Sequence, residues 1–314
     1  MPPVGPRRTA RGRALTSADA FAAFRCSLAS EDRADDPAGA APHLRALLMI
    51  EHHGPWGVSA PRDSRLPDEV KRHLSGNRGV KVLLARRHHR AHRGSTYQAM
   101  LCLPARRLLL RTTFTDPAEL VDLDLEAVGR GQLPSGTQGA LRWEEVSGPV
   151  YGVCTHGRHD PCCAERGRPV CQALTEIRPE ETWEISHVGG DRFAPNLVVL
   201  PEGLYYGRLS PESVLDVVAL HEEGRLDLDR LRGRSTYPMP AQYAEIALRR
   251  HLGEDRLDAL RMVHREENTC EFTHGEDRWR VVVSKTMGES AKMTCSAAKP
   301  GRVAVFEAVT IEQV

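Results

Sequence analysis

Nowhere in its 314 residues does this sequence hold a run approaching the roughly 18 to 20 apolar residues that a membrane-spanning helix requires. Its net charge is only +1. Its 43 Lys and Arg face 42 Asp and Glu, so no overall field draws it toward nucleic acid or an anionic membrane, and neither is expected as a partner. The basic N-terminal stretch with Arg7, Arg8, Arg11 and Arg13 precedes no apolar signal core, which makes the cytoplasm the expected location. No G-x-S-x-G elbow, Walker loop or dinucleotide-binding glycine fingerprint is present, and no pair of catalytic carboxylates stands out. Hydrolase and nucleotide-binding readings lose support accordingly.

What is present is an ordinary globular composition, 40% apolar and 27% charged, in a chain too long for one hydrophobic core. The expected organisation is a mobile tail with an N-terminal helix over residues 1–40, an α/β domain over 41–145, a second α/β domain over 146–232 and a small α+β extension over 233–314. Eight cysteines are scattered through the chain, with Cys154, Cys162, Cys163 and Cys171 as the tightest group. At this length that spread argues against a secreted disulfide scaffold, and clustered thiols in a reducing compartment point to metal or redox chemistry.

Hydrophobic patterning predicts a helix over Ala18 to Cys26, a buried strand at Ala46 to Glu51, a helix over Pro67 to Leu74, and strands at Val80 to Ala85, Tyr97 to Leu103 and Arg107 to Phe114. The Gly- and Pro-dense segment GRGQLPSGTQG marks a boundary. Beyond it, Val150 to Val153 reads as a strand, and Arg168 to Ile177 as a helix with Val170, Ala173, Leu174 and Ile177 on one face and Pro169 in its first turn. Thr182 to Ser186, Asn196 to Leu200 and Leu204 to Leu209 read as strands, and Pro211 to Leu220 as a helix. This β-α-β-β-β-α order is close to the core of a thioredoxin fold. Glu222 to Ser235 is expected to be a link, Ala241 to Leu252 and Asp255 to Val263 to be helical, and Cys270 to Ser284 to form a hairpin. No internal repeat is evident, although both halves begin strand-helix-strand.

The informative segments are PVYGVCTHGRHDPCCAERGRPVCQALTEI and WEISHVGGDRFAPNLVVLPEGLYYGRL. Cys154 ends a strand; Cys163 lies nine positions on, in the loop expected just ahead of the helix; His187 ends the next strand. Strand-end loops of a parallel pair lie side by side, so Cys154, Cys163 and His187 can converge on one point, with Asp191 as a fourth ligand. Two thiolates, an imidazole and a carboxylate make a metal-binding set.

These residues resemble the sucrase/ferredoxin-like family, a branch of the thioredoxin-like [2Fe-2S] ferredoxins, over most of the chain from Cys26, including EHHGPWG, and most specifically from Val150 to Leu209. The resemblance implies an α/β fold with a thioredoxin-like ferredoxin domain, and a cluster held by a C-x8-C pair and an H-x3-H pair. Those fall here on Cys154 and Cys163, and on His187 and position 191. Asp191 stands where the family has a second histidine. His156, His159 or Cys162 are alternative sources of that ligand.

The leading expectation is therefore a soluble electron carrier with a [2Fe-2S] cluster on Cys154, Cys163, His187 and Asp191, serving a redox partner protein, a reductase or an oxidase. The alternatives are a thiol-disulfide oxidoreductase working through Cys154 or Cys162 and Cys163, and a zinc-binding or cluster-free interaction module using the same four residues. Against these stand plainer assignments. Cys26, Cys102, Cys171, Cys270 and Cys295 read as small apolar core residues, the run from Arg86 to Arg93 as a solvated turn, Asp191 as a cap or partner of Arg192, and Trp56 as packing between the halves.

Overall fold

The computed structural model describes residues 24–76, 79–90, 94–134, 137–138 and 141–314. The N-terminal tail and most of the helix expected at 18–26 fall outside these residues. The first described helix, α1, runs Cys26–Asp32.

The N-terminal half contains β1 (Ala46–Glu51), α2 (Asp68–Ser75), β2 (Val80–Arg86), β3 (Tyr97–Leu103) and β4 (Leu108–Phe114). A short helix α3 (Leu125–Gly129) and three two-residue strands follow: β5 (Thr137–Gln138), β6 (Leu141–Arg142) and β7 (Glu144–Glu145). The C-terminal half has β8 (Val150–Cys154), α4 (Pro161–Ile177), β9 (Thr182–Ile185), β10 (Leu197–Leu200), β11 (Leu204–Tyr206), α5 (Pro211–Glu222) and β12 (Leu231–Arg234). Ten strands form one sheet in the order β12-β11-β10-β8-β9-β2-β1-β3-β4-β7. The sheet thus runs without a break past position 146.

Within it, β8 and β9 are parallel, β10 is antiparallel to β8 and β11 to β10, which is the thioredoxin-like arrangement. The N-terminal half repeats it: β1 and β2 are parallel, β3 is antiparallel to β1 and β4 to β3. The two units meet edge to edge, with Ala85 opposite Ile185 and Arg86 opposite Glu184. Ser186 extends the seam, its N–H donating to the Leu84 carbonyl at 2.8 Å and its hydroxyl accepting from the Leu84 N–H at 3.0 Å. The internal repeat is therefore one of topology; the residues filling it differ enough to conceal it.

Both faces of the central strands are buried, so β1 reads as the unbroken apolar run ALLMI. Leu48 and Ile50 pack with Val70 and Leu74 of α2, while Tyr151, Val153 and Leu197 pack with Val170, Leu174, Val214 and Val217 of α4 and α5. On the opposite face Leu47, Met49, Leu83, Trp183, Ile185 and Val198 form one cluster that crosses the seam.

Three expectations need correction. Helix α4 starts at Pro161, not near Arg168, because Asp160 caps it by accepting the Cys162 N–H and Pro161 fills the first helical position, where its missing N–H costs nothing. Pro169 therefore lies inside the helix, and Ile177 is exposed at its end. The supposed link 222–235 contains β12, whose LRGR is fully buried, a composition that hides a strand from a hydrophobic-pattern reading. The stretch expected to be helical at 255–263 instead leads into β13 (Leu260–Glu266), which pairs with β14 (Thr269–His274). With β15 (Asp277–Met287) and β16 (Ala304–Gln313) these form a four-stranded antiparallel sheet packed on α6 (Met239–Leu252). No helix among the described residues is long and apolar enough to cross a membrane.

Candidate metal centre

Cys154 is the last residue of β8 and is fully buried. Helix α4 reaches it because Gly167 has no side chain: a Cβ there would lie 2.2 Å from the Cys154 carbonyl oxygen. That close approach lays the first turn of α4 beside the strand end. Cys163 sits in that turn, so both thiols enter the cluster under the shared face of the sheet. The loop expected to carry Cys163 is shorter than the sequence implied, and the helix itself presents the residue.

His187 follows β9 by two residues, and Gly189 and Gly190 turn the chain in left-handed conformations toward Asp191. At Gly190 a Cβ would stand 2.3 Å from a guanidinium nitrogen of Arg232. Arg232, almost wholly buried, donates to the Gly189 carbonyl at 3.0 Å and to Asn196 Oδ1 at 2.8 Å, while Asn196 donates to the Gly190 carbonyl at 2.9 Å. This framework fixes the turn that carries His187 and Asp191. Sequence reasoning missed Arg232 because it lies 41 positions beyond Asp191, in the segment taken for a link. No short-range signal ties the two together.

The four sequence-predicted residues come together. One donor atom each from Cys154, Cys163 and His187 lies within 4.8 Å of the others, Cys163 Sγ is 3.4 Å from Asp191 Oδ1, and His187 Nδ1 is 2.9 Å from the same oxygen. The donor set of two thiols, one imidazole and one carboxylate fits a thiophilic metal or an iron-sulfur group. Charge is distributed accordingly. Burial opposes the His187 imidazolium, but Asp191 and Cys154 outweigh it and push the group up to about 9. Burial likewise opposes the Asp191 carboxylate, which His187 nonetheless holds below its ordinary range. Cys154 is the thiol favoured to ionise: the hydrogen bond from Cys163 and the charge of His187 prevail over burial, while Cys163 is driven the other way. A metal entering here therefore displaces protons held by the ligands themselves.

Among the alternative donors, His156 is already committed. Its Nε2 is 2.9 Å from the Gly57 carbonyl, and its Nδ1 accepts the His187 backbone N–H at 3.2 Å. His159 stacks on His187 with ring centroids 3.8 Å apart; its Nδ1 meets the Val58 carbonyl, which leaves Nε2 facing Asp191 at 3.8 Å. Cys162 faces away, toward Cys26 and Cys295. The last two cysteines, read from sequence as inert, are brought together by the fold.

The EHHGPWG segment now has a place. Its Gly57 carbonyl and that of Val58 just after it hold the two loop histidines, and Trp56 packs edge-on against His156 with Arg86 over the Trp56 ring at 4.2 Å. The described part of the basic run is solvated only at His89 and Arg90. Arg86 pairs with the buried Glu184 at 2.7 Å, Arg87 covers Trp183 at 3.8 Å, and His88 meets Glu184 at 2.8 Å. Residues 91–93 of that run lie outside the described residues. Thr155 also donates to Glu184, at 3.2 Å, so this carboxylate ties the seam to the strand end of the site.

A thioredoxin-like unit with a Cys/Cys/His/Asp cluster at the strand ends of its parallel pair defines a candidate metal-binding α/β protein. The profile of the sucrase/ferredoxin-like family matches residues 37–233, well over half of the chain, and the chain belongs to that family. Two solved structures of cysteine-to-serine variants of the thioredoxin-like [2Fe-2S] ferredoxin from Aquifex aeolicus are similar at 27% and 25% identity. Each match covers 27% of this chain and 97% of the ferredoxin, with a TM-score of 0.24, too low to support an argument from overall shape. Among curated proteins there is no match.

Proposed function

We propose that this protein is an electron carrier whose [2Fe-2S] cluster is held by Cys154, Cys163, His187 and Asp191, and that it serves a reductase or oxidase partner in the cytoplasm. The observation that carries this reading is the convergence of two buried thiols with an imidazole and a carboxylate at one pair of strand ends. Such a cluster, once bound, supplies one-electron chemistry at a potential set by its ligands and their surroundings. The chain's own contribution is positional and electrostatic. Burial of both cysteines keeps solvent from the sulfurs, whereas the His187 and His159 rings retain 19% and 33% side-chain exposure and form the outward edge a partner would meet. An imidazole ligand also carries a titratable ring nitrogen, so electron uptake can be coupled to proton uptake at His187.

A thiol-disulfide reading draws on the depressed Cys154 thiol beside Cys163, and a zinc reading on the same donor set. One preparation separates the three. Protein purified without oxygen is expected to be red-brown with about two iron and two acid-labile sulfide per chain. Colourless protein with zinc, or colourless metal-free protein with reactive thiols, would overturn the electron-carrier reading. Asp191→His, which restores the family's imidazole, is expected to slow cluster loss to a chelator about tenfold; an unchanged rate would remove residue 191 from the ligand set.

A further inference from the structure

On the far side of the first turn of α4 lies a second cluster. Cys26 opens α1, Cys162 is the second residue of α4, and Cys295 lies in the connection between β15 and β16. Their sulfurs form a near-equilateral triangle, with separations of 3.8 Å for Cys26 and Cys162, 3.4 Å for Cys162 and Cys295, and 3.6 Å for Cys295 and Cys26. Asp160 closes the figure, both carboxylate oxygens standing 3.7 Å from Cys26 Sγ. One atom from each of the four lies within 4.8 Å of the others.

We propose that Cys26, Cys162, Cys295 and Asp160 form a structural zinc site that fastens the N-terminal helix and the C-terminal extension to the thioredoxin-like unit.

The dimensions carry the argument. Four ligands around zinc at about 2.3 Å from sulfur, in tetrahedral array, set the sulfurs about 3.8 Å apart, close to the observed edges. A disulfide needs sulfurs about 2.05 Å apart and joins two of them, which would strand the third thiol in a buried site. Cys26 and Cys162 are buried with Ala194, and Asp160 is wholly buried. A wholly buried carboxylate beside three thiols, of which only Cys295 is partly exposed, is costly without a cation. Asp160 is already oriented for one. Its Oδ1 accepts the Cys162 N–H at 2.9 Å and its Oδ2 the Cys295 N–H at 2.7 Å, which uses two of roughly four acceptor positions. The Cys26 N–H points at Cys295 Sγ at 3.4 Å, the kind of amide contact that steadies a metal-bound thiolate.

Electrostatics agree with this arrangement. The guanidinium charges of Arg25 and Arg192 reach these sulfurs, Arg25 those of Cys162 and Cys295 and Arg192 that of Cys26. The site joins positions 26, 162 and 295, two closures of more than 130 residues each, so it constrains the chain far more than a local turn would. Cys162 and Cys163 are adjacent but project about 100° apart around the helix, into separate clusters, which keeps this site independent of the electron-carrier reading.

The test uses the full chain loaded with Zn(II), alongside Cys295→Ser and Cys163→Ser. About one zinc per chain should remain in Cys163→Ser, which loses a ligand of the other centre, and should bind at least about tenfold more weakly in Cys295→Ser when challenged with a chromophoric chelator. Zinc-edge X-ray absorption of Cys163→Ser should show three sulfur neighbours near 2.3 Å and one oxygen. Should Cys295→Ser prove insoluble, Cys26→Ser and the absorption spectrum carry the same test. Undiminished zinc affinity in Cys295→Ser, loss of zinc from Cys163→Ser, fewer than three sulfur neighbours, or a disulfide among these cysteines in the intact mass of the isolated protein would each overturn the proposal.

Discussion

The two halves of the large sheet share one plan and differ in what stands at the strand ends. In both, a parallel pair is followed by two antiparallel strands on the side of the first strand. In the C-terminal half the first strand ends in Cys154; in the N-terminal half it ends in Glu51, whose carboxylate meets His53 at 2.9 Å and accepts the Gln98 N–H at 3.0 Å. His187 follows its strand by two residues, and His88 does the same in the N-terminal half, yet His88 meets Glu184 across the seam. The same scaffold thus holds a thiol-rich site in one unit and a hydrogen-bonded support in the other. A strand-end loop is a place where chemistry can be built; the residue types there decide whether it is. The N-terminal loop through Trp56, Gly57 and Val58 has become the cover of its neighbour's histidines.

The contrast is broken most directly by exchanging the strand-end residues one at a time. Cys154→Ser is expected to reduce iron and sulfide to under about a tenth of the parent, since soft thiolate ligation is lost, whereas Glu51→Gln should leave both within about twofold. Equal losses in the two variants, measured by iron and acid-labile sulfide content, would show that the halves do not divide the work as described.

A smaller effect is expected at the helix that only the C-terminal unit presses against its strand end. Gly167→Ala places a methyl group 2.2 Å from the Cys154 carbonyl and should destabilise the fold by about 3 kcal/mol in urea unfolding. A change under about 0.5 kcal/mol would mean that α4 does not need that close approach.

The smallest effect belongs to the N-terminal unit. Burial, aided by His53, Arg65 and Arg86, lowers His52 to about 4, against an ordinary histidine near 6.5. Because the folded value is the lower one, the unfolded chain takes up the proton first as pH falls. The contribution is fully present above about 6.5 and is lost as pH falls toward 4, amounting to about 2 kcal/mol after allowance for partial exposure. His52→Gln should flatten the stability profile between those limits; a profile as steep as the parent's would assign the acid sensitivity elsewhere.

Much of this was legible in the residues. The strands at 46–51 and 97–103 coincide with their apolar runs, and the strands read at 196–200 and 204–209 are present and pair antiparallel across Pro201-Glu202-Gly203. The convergence of Cys154, Cys163, His187 and Asp191 followed from spacing and resemblance, because each residue sits at or near an element end that local pattern can place. The start of α4 was misplaced, since its first turn, Pro161-Cys162-Cys163-Ala164, has no amphipathic period and is announced only by the capping aspartate before it. The strand LRGR was missed for the related reason that buried arginines imitate a surface segment.

Local sequence, then, determined which segments become strands and helices and which side chains lie at their ends, because short-range periodicity, turn chemistry and capping act over a few residues. Only the tertiary structure decided that the two halves would share a sheet, that Arg232 would hold the turn bearing Asp191, and that Cys26 and Cys295 would meet at Cys162. Those pairings depend on the packing of elements far apart in the chain, and a contact made across tens to hundreds of residues leaves no local pattern in the sequence around either partner.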